Sequence, residues 1–295
     1  MNSTLFTGSG AALVTPFADG KIDFDALGRL IDLQLTGGTD ALVVCGTTGE
    51  PSTLTQAEKD AVLGFTLERA DGRIPVIMGT GANCTAAAAA QSARAQKMGA
   101  DGLLVVTPYY NKTTQPGLIA HFSAVADAVS IPVILYNVPS RTGVNLLPET
   151  AARLSEHKNI LGIKEASGDI TQCAELARLC GESMALYSGN DDQTLPMLAL
   201  GAQGVISVAA NIAPDRMHEL TSSWFSGDAA RSRALQLSLL PLIRQLFSEV
   251  NPIPVKAALE IMGVCRADVR LPLVRFSQEK WSALREEIIR LSLPV

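Results

Sequence analysis

The stretch PVILYNVPSRTGVNLLPETAARLSEHKNILGIKEASGD, residues 132–169, decides the fold. It holds two short apolar runs, PVILYNV and ILGIKEAS, separated by a helical segment. Neither run alternates apolar with polar residues, which is the pattern of strands buried on both faces. The same unit recurs along the chain. GAALVTPF, ALVVCGTTG, PVIMGTG, GLLVVTPYY, ALYSGND and GVISVAAN bring the runs to eight, broken off by Gly, Thr, Asn or Ser. Between them lie segments such as TQAEKDAVLGFTLERADG, which opens with a capping box from Thr55 to Glu58 and closes near Gly72. Eight parallel strands alternating with helices, at roughly 20 to 35 residues per unit, predict an α/β fold of the (β/α)8 TIM barrel type. A doubly wound sheet with a dinucleotide site would want G-x-G-x-x-G after a strand, and GTGANC at Gly79–Cys84 lacks the third glycine.

After about residue 225 the apolar runs stop and the pattern turns helical, so the expected organisation is a barrel over 1–225 and a C-terminal helical appendage over 226–295. Pro241 predicts a kink in the first of these helices. Trp281, Leu284, Ile288 and Leu291 share one face of the last, which must dock on the barrel or on another subunit.

Composition excludes several classes. Hydrophobic residues make up 47% of the 295 and charged residues 18%, the balance of a large packed core rather than a disordered chain. The net charge is -5 and no basic run or basic helix occurs, which argues against nucleic acid or an anionic membrane as partner. No uninterrupted apolar run reaches the ~18 residues needed to span a bilayer, and the first residues lack the basic start of an export signal, so a cytoplasmic location is expected. Five cysteines without a Cys-x-x-Cys pair imply neither a disulfide framework nor a zinc site, and the three histidines have no ligand spacing. No metal is expected.

In such barrels the active site is built at the carboxyl ends of the strands. Lys164 stands near that end of the sixth run and Tyr136 near that end of the fifth. A free lysine is neutral only about one time in 2500 at pH 7. Desolvation by apolar walls favours the neutral amine, the nucleophile that adds to a ketone and forms a Schiff base. A tyrosine hydroxyl beside it donates and accepts protons during addition and dehydration. Set against this is an ordinary strand-end lysine paired with a carboxylate such as Glu165, and the strand pattern does not choose between them. The turn after the second run, GTTGE, offers backbone N–H groups and the hydroxyls of Thr47 and Thr48 to a small carboxylate, or is a plain strand-to-helix connection. Arg141 follows the fifth run, as a bidentate clamp for a second carboxylate or as a solvated loop arginine. Tyr109 and Tyr110, at the tip of the fourth run, suit an interface.

Taken together and in order, GTTGE, TPYYNK, YNVPSRTG and GIKEASGD resemble the dihydrodipicolinate synthase family, within the pyruvate-dependent class I aldolase and lyase superfamily. The likeness extends to NPIPVKAALEIMG near the C-terminus. It implies condensation of pyruvate with L-aspartate 4-semialdehyde in diaminopimelate and lysine biosynthesis, with Lys164 as the Schiff-base residue and no metal or organic cofactor. It further implies that Tyr136 relays protons through Thr47 and through Tyr110 of a neighbouring subunit in a homotetramer built as a dimer of dimers. By the same resemblance Thr48 holds the pyruvate carboxylate, Gly189 and Ile206 line the pocket, and Arg141 clamps the amino-acid carboxylate. That clamp argues against the rival N-acetylneuraminate lyases and sugar-acid aldolases, and the Lys164, Tyr136 and Thr47 set argues against a barrel that only binds a keto acid. An effector site for lysine would fall near Ser52, Gln56, Lys59, Asn83, Ala87 and Tyr109. Position 87 lacks the carboxylate that would hold the effector's ammonium and Lys59 adds a like charge, so feedback inhibition is expected to be weak or absent.

Overall fold

The structure, a computed structural model, describes residues 4–295. Eight parallel strands form a closed barrel: β1 (Gly8–Ala12), β2 (Ala41–Val44), β3 (Val76–Gly79), β4 (Gly102–Val106), β5 (Val133–Asn137), β6 (Ile160–Glu165), β7 (Ala185–Ser188) and β8 (Gly204–Ser207). All eight fall inside the apolar runs or, for β1, overlap the start of one. The chain divides into two compact units: the stretch up to Gly8 with Pro75–Ile206, and Ser9–Ile74 with Ser207–Val295.

In the first unit the register of β5 on β6 sets Tyr136 opposite Lys164 and Asn137 opposite Glu165. Helices Thr85–Met98, Gln115–Asp127, Pro148–Leu154 and Ile170–Cys180 pack each against the next. The last of these starts where the Asp169 carboxylate accepts the backbone N–H groups of Thr171 and Gln172. Cys173, Leu176 and Cys180 form its buried stripe, whereas Ile170, at its first turn, is exposed.

In the second unit β1 pairs with β2 in parallel, Gly10 opposite Ala41. GAALVTPF does not continue as one strand. Leu13 still donates to the Val43 carbonyl at 2.9 Å, but Pro16 has no N–H to offer, and the chain instead forms a small antiparallel ribbon of Phe17–Ala18 with Lys21–Ile22. Helix Gln56–Ala70 carries the expected capping box, Thr55 accepting from the Glu58 N–H and Glu58 accepting in return from that of Thr55. It ends on Asp71 in the left-handed conformation, followed by Gly72.

After Phe225 the regular elements among the described residues are helical, chiefly Ala229–Leu246, Ile253–Ile261 and Trp281–Arg290. Pro241 lies inside the first without ending it. The last packs on the other two, with Leu284 and Ile288 fully buried, so its apolar face is covered by its helical neighbours in the chain. Each such side chain contributes roughly 1.5 to 3 kcal/mol by leaving water.

Candidate functional site

Alternation along β6 sends Lys164 and Glu165 to opposite faces. Lys164 is 5% exposed and Tyr136 6%, and the lysine Nζ lies 4.5 Å from the centre of the tyrosine ring. Glu165 is not its partner. The Glu165 carboxylate accepts from the Ser167 N–H at 2.6 Å, from Asn137 Nδ2 at 3.0 Å and from Gln172 Nε2 at 3.4 Å. Asn145 joins the same network through Asn137 and Gln172. Burial pushes the Glu165 carboxyl above its ordinary value against these hydrogen bonds. The cross-strand Asn137–Glu165 contact therefore locks the ends of β5 and β6 from behind, at the height where Tyr136 and Lys164 meet in front.

Gly189 closes on this pair. Its N–H donates to the Glu165 carbonyl at 2.7 Å, and a Cβ built there would lie 2.6 Å from the Ala166 Cβ and 3.1 Å from the Lys164 Cε. Only glycine leaves the lysine stem where it is. Gly189→Ala is expected to lower kcat/KM on the order of tenfold or more by displacing the amine, and to lower stability by about 1 to 3 kcal/mol because the added methyl crowds Ala166. Steady-state kinetics beside a thermal melt checks this. Ile206 is fully buried on β8.

The loops after β4 and β5 carry the remaining first-unit candidates. The Thr107 N–H donates to the Tyr136 carbonyl at 3.0 Å and its hydroxyl to Thr142 Oγ1 at 3.1 Å, which seats the single turn Pro139–Thr142 bearing Arg141. Arg141 is exposed. Tyr110 is 90% exposed with a left-handed backbone, φ 70°, so its side chain stands in solvent and does not join Tyr136 within its own chain. Tyr109 is 39% exposed. Asn83 accepts through its carbonyl from Asn111 Nδ2 at 2.9 Å, and Ala87 is half-buried in helix Thr85–Met98.

In the second unit GTTGE forms one tight turn, Thr47–Gly49, closed by Glu50 at φ 53°. Thr47 is half-buried; Thr48 is buried and its Oγ1 accepts from Asn251 Nδ2 at 2.9 Å. Glu50 is paired with Lys256, Oε1 to Nζ 2.5 Å, and their side chains are 1% and 0% exposed. Lys256 Nζ also donates to the Asp268 carbonyl at 2.8 Å and lies 4.0 Å from the centre of the Phe17 ring. Burial holds the Lys256 amine below the ordinary lysine value, with Glu50 opposing. Arg270 completes the cluster: its N–H donates to Glu50 Oε2 at 3.0 Å and its guanidinium grips Glu58, whose carboxyl is thereby held at about 2. Of the other candidates here, Ser52 and Gln56 are exposed and Lys59 is half-buried, with Gln56 Nε2 donating to Asp60 at 2.9 Å.

The structure thus brings Lys164, Tyr136 and Gly189 together in the first unit, with Asn137 on Glu165 beside them, and in the second unit sets Asn251 and Lys256 on the GTTGE turn; sequence reasoning did not single out Asn137, Asn251 or Lys256. Asn251 and Lys256 lie in the quoted NPIPVKAALEIMG segment, so a signal existed, but nothing in it names Thr48 and Glu50 as their partners. Among the described residues no three His, Cys, Asp or Glu side chains gather as a metal site requires.

Residues 5–290 match the model of the Dihydrodipicolinate synthetase family. The chain is 53% identical over 290 residues to the 4-hydroxy-tetrahydrodipicolinate synthase of a Thermoanaerobacter species, covering 98% of each. Its fold is similar to that of dihydrodipicolinate synthase from Thermotoga maritima, with a TM-score of 0.97 at 45% identity over 98% of this chain and 99% of the other. The chloride-inhibited dihydrodipicolinate synthase from Acinetobacter baumannii complexed with pyruvate is also similar, TM-score 0.95 at 43% identity over 97% and 99% of the two chains.

Proposed function

Because the chain belongs to the dihydrodipicolinate synthetase family, we propose that it is a lyase condensing pyruvate with L-aspartate 4-semialdehyde through a Schiff base on Lys164. The observation that carries the residue assignment is the buried Lys164 amine over the ring of Tyr136, opposite it in register. The Lys164 Nζ adds to C2 of pyruvate, water leaves as the Tyr136 hydroxyl passes the protons, and loss of a C3 proton gives the enamine. The enamine carbon bonds to the aldehyde carbon of the semialdehyde. The amine of that substrate then attacks C2, the C2–Nζ bond breaks, and the ring product 4-hydroxy-tetrahydrodipicolinate departs with Lys164 regenerated. The protonated Schiff base on Lys164 is the electron sink when the C3 proton is lost, so this scheme uses no metal or organic cofactor.

Thr48 takes the pyruvate carboxylate, Thr47 extends the proton relay from Tyr136, and Gly189 and Ile206 shape the pocket beside Lys164. Tyr110 completes the relay of a neighbouring subunit in a homotetramer; its 90% exposure in the single chain supports that use. Among the described residues no helix is long and apolar enough to cross a membrane. A cytoplasmic location accords with five free cysteines.

The test of the Schiff base is reduction with borohydride in the presence of pyruvate, followed by peptide mapping. A pyruvate-derived adduct on Lys164 is expected, and an adduct confined to another lysine overturns the assignment. Arg141 clamps the carboxylate of the semialdehyde, so Arg141→Ala should raise the KM for that substrate by roughly 10- to 100-fold and leave that for pyruvate nearly unchanged. Equal losses for both substrates count against the clamp. Since position 87 is alanine and offers no carboxylate to an effector's ammonium, sub-millimolar lysine is expected to leave turnover within about twofold of its uninhibited rate. An inhibition titration with lysine decides this.

A further inference from the structure

We propose that Asn251 is a positioning residue for pyruvate, acting through the hydroxyl of Thr48. The proposal rests on the reading that Thr48 holds the pyruvate carboxylate. A threonine hydroxyl has one proton to donate and lone pairs with which to accept. A carboxylate only accepts, so Thr48 serves it only with the proton pointed at it. Asn251 Nδ2 donates to Thr48 Oγ1 at 2.9 Å, in a buried contact between residues 203 apart in sequence. That donation occupies a lone pair of Oγ1 and leaves the Thr48 proton for the substrate. The hydroxyl is thereby set as a donor before pyruvate arrives, and no reorientation is needed on binding.

The same segment grips the turn a second time. Lys256, five residues beyond Asn251, is buried against Glu50, and Glu50 holds the left-handed conformation that closes Thr47–Gly49. Arg270 adds a third hold through its backbone N–H on Glu50. The turn is therefore fixed at its middle, at Thr48 by Asn251, and at its close, at Glu50 by Lys256 and Arg270. A segment that merely filled space would not need a donor aimed at the Thr48 oxygen.

The experiment is a double-variant cycle read by the pyruvate concentration that half-saturates borohydride inactivation, with thermal melts run alongside. Asn251→Ala is expected to raise that concentration about 2- to 10-fold, and Thr48→Val by a similar or larger factor. In the Thr48→Val background Asn251→Ala should add nothing, since its effect passes through the missing hydroxyl. Asn251→Asp should do more harm than the alanine variant, on the order of tenfold or more, because a carboxylate draws the Thr48 proton to itself and repels the substrate's charge. Asn251→Ser replaces the alanine variant if that one does not fold. Additive effects of the two substitutions, as a purely structural role produces, overturn the proposal. A silent Asn251→Ala beside an impaired Thr48→Val overturns it while leaving Thr48 as the pyruvate ligand, whereas a silent Thr48→Val removes that reading and the proposal with it.

Discussion

Lys164→Ala should abolish consumption of L-aspartate 4-semialdehyde in the presence of pyruvate, with a loss on the order of 10³-fold or more in kcat and no adduct on borohydride reduction. The amine is the only atom of the side chain that bonds to substrate in the proposed scheme, and alanine leaves nothing to replace it. Lys164→Arg sharpens the test. A guanidinium keeps the positive charge but does not deprotonate in proteins, so it cannot add to a ketone. If the lysine serves only as a cation for a bound carboxylate, arginine restores much of the activity; if it is the nucleophile, both variants are equally dead. Folding is checked by a thermal melt. If the wild-type chain leaves the semialdehyde untouched yet traps pyruvate, the second substrate is wrong and the Schiff base survives.

Lys256→Met is the second large effect, and it falls on stability. Glu50 is 1% exposed and its Oε1 lies 2.5 Å from the Lys256 ammonium. Removing the cation leaves a buried carboxylate answered by the Arg270 N–H and by the more distant charge of its guanidinium, which Glu58 already engages, at a cost of about 3 to 5 kcal/mol. Replacing both members, as Glu50→Gln with Lys256→Met, takes away the stranded charge and should recover most of that loss, because a neutral pair of similar volume needs no counter-ion. Chemical denaturation of the wild type, the single variant and the double variant measures it. A single variant as stable as the double shows that the pair is not an electrostatic unit. Since Glu50 closes the Thr47–Gly49 turn, the single variant should also bind pyruvate more weakly than the double one.

The barrel and the place of Lys164 at a strand end were legible for a local reason. Strands buried on both faces read as unbroken apolar runs, helices announce themselves by caps such as Thr55 and Glu58, and parallel connection places successive strand ends at one mouth. Lys164 and Tyr136 fall at those ends, so their meeting follows from run length alone, and the register bears it out. Where a run contained its own terminator the reading overshot, as at Pro16, which stops the first strand well before Phe17. The alternative of a Lys164–Glu165 pair, which the strand pattern leaves open, is closed by strand alternation, which turns sequence neighbours away from each other, and by the partners Glu165 has in Ser167, Asn137 and Gln172.

What the sequence by itself determined is the order of elements, the number of strands and the residues that stand at strand ends, all set by patterns within about ten residues. Only the tertiary structure decided who holds whom: Asn137 with Glu165 behind the lysine, Asn251 on Thr48 and Lys256 on Glu50. A buried lysine and a solvated one are the same letter, and for Lys256 the difference is made by desolvation and by Glu50, about 200 residues away, which no local pattern encodes.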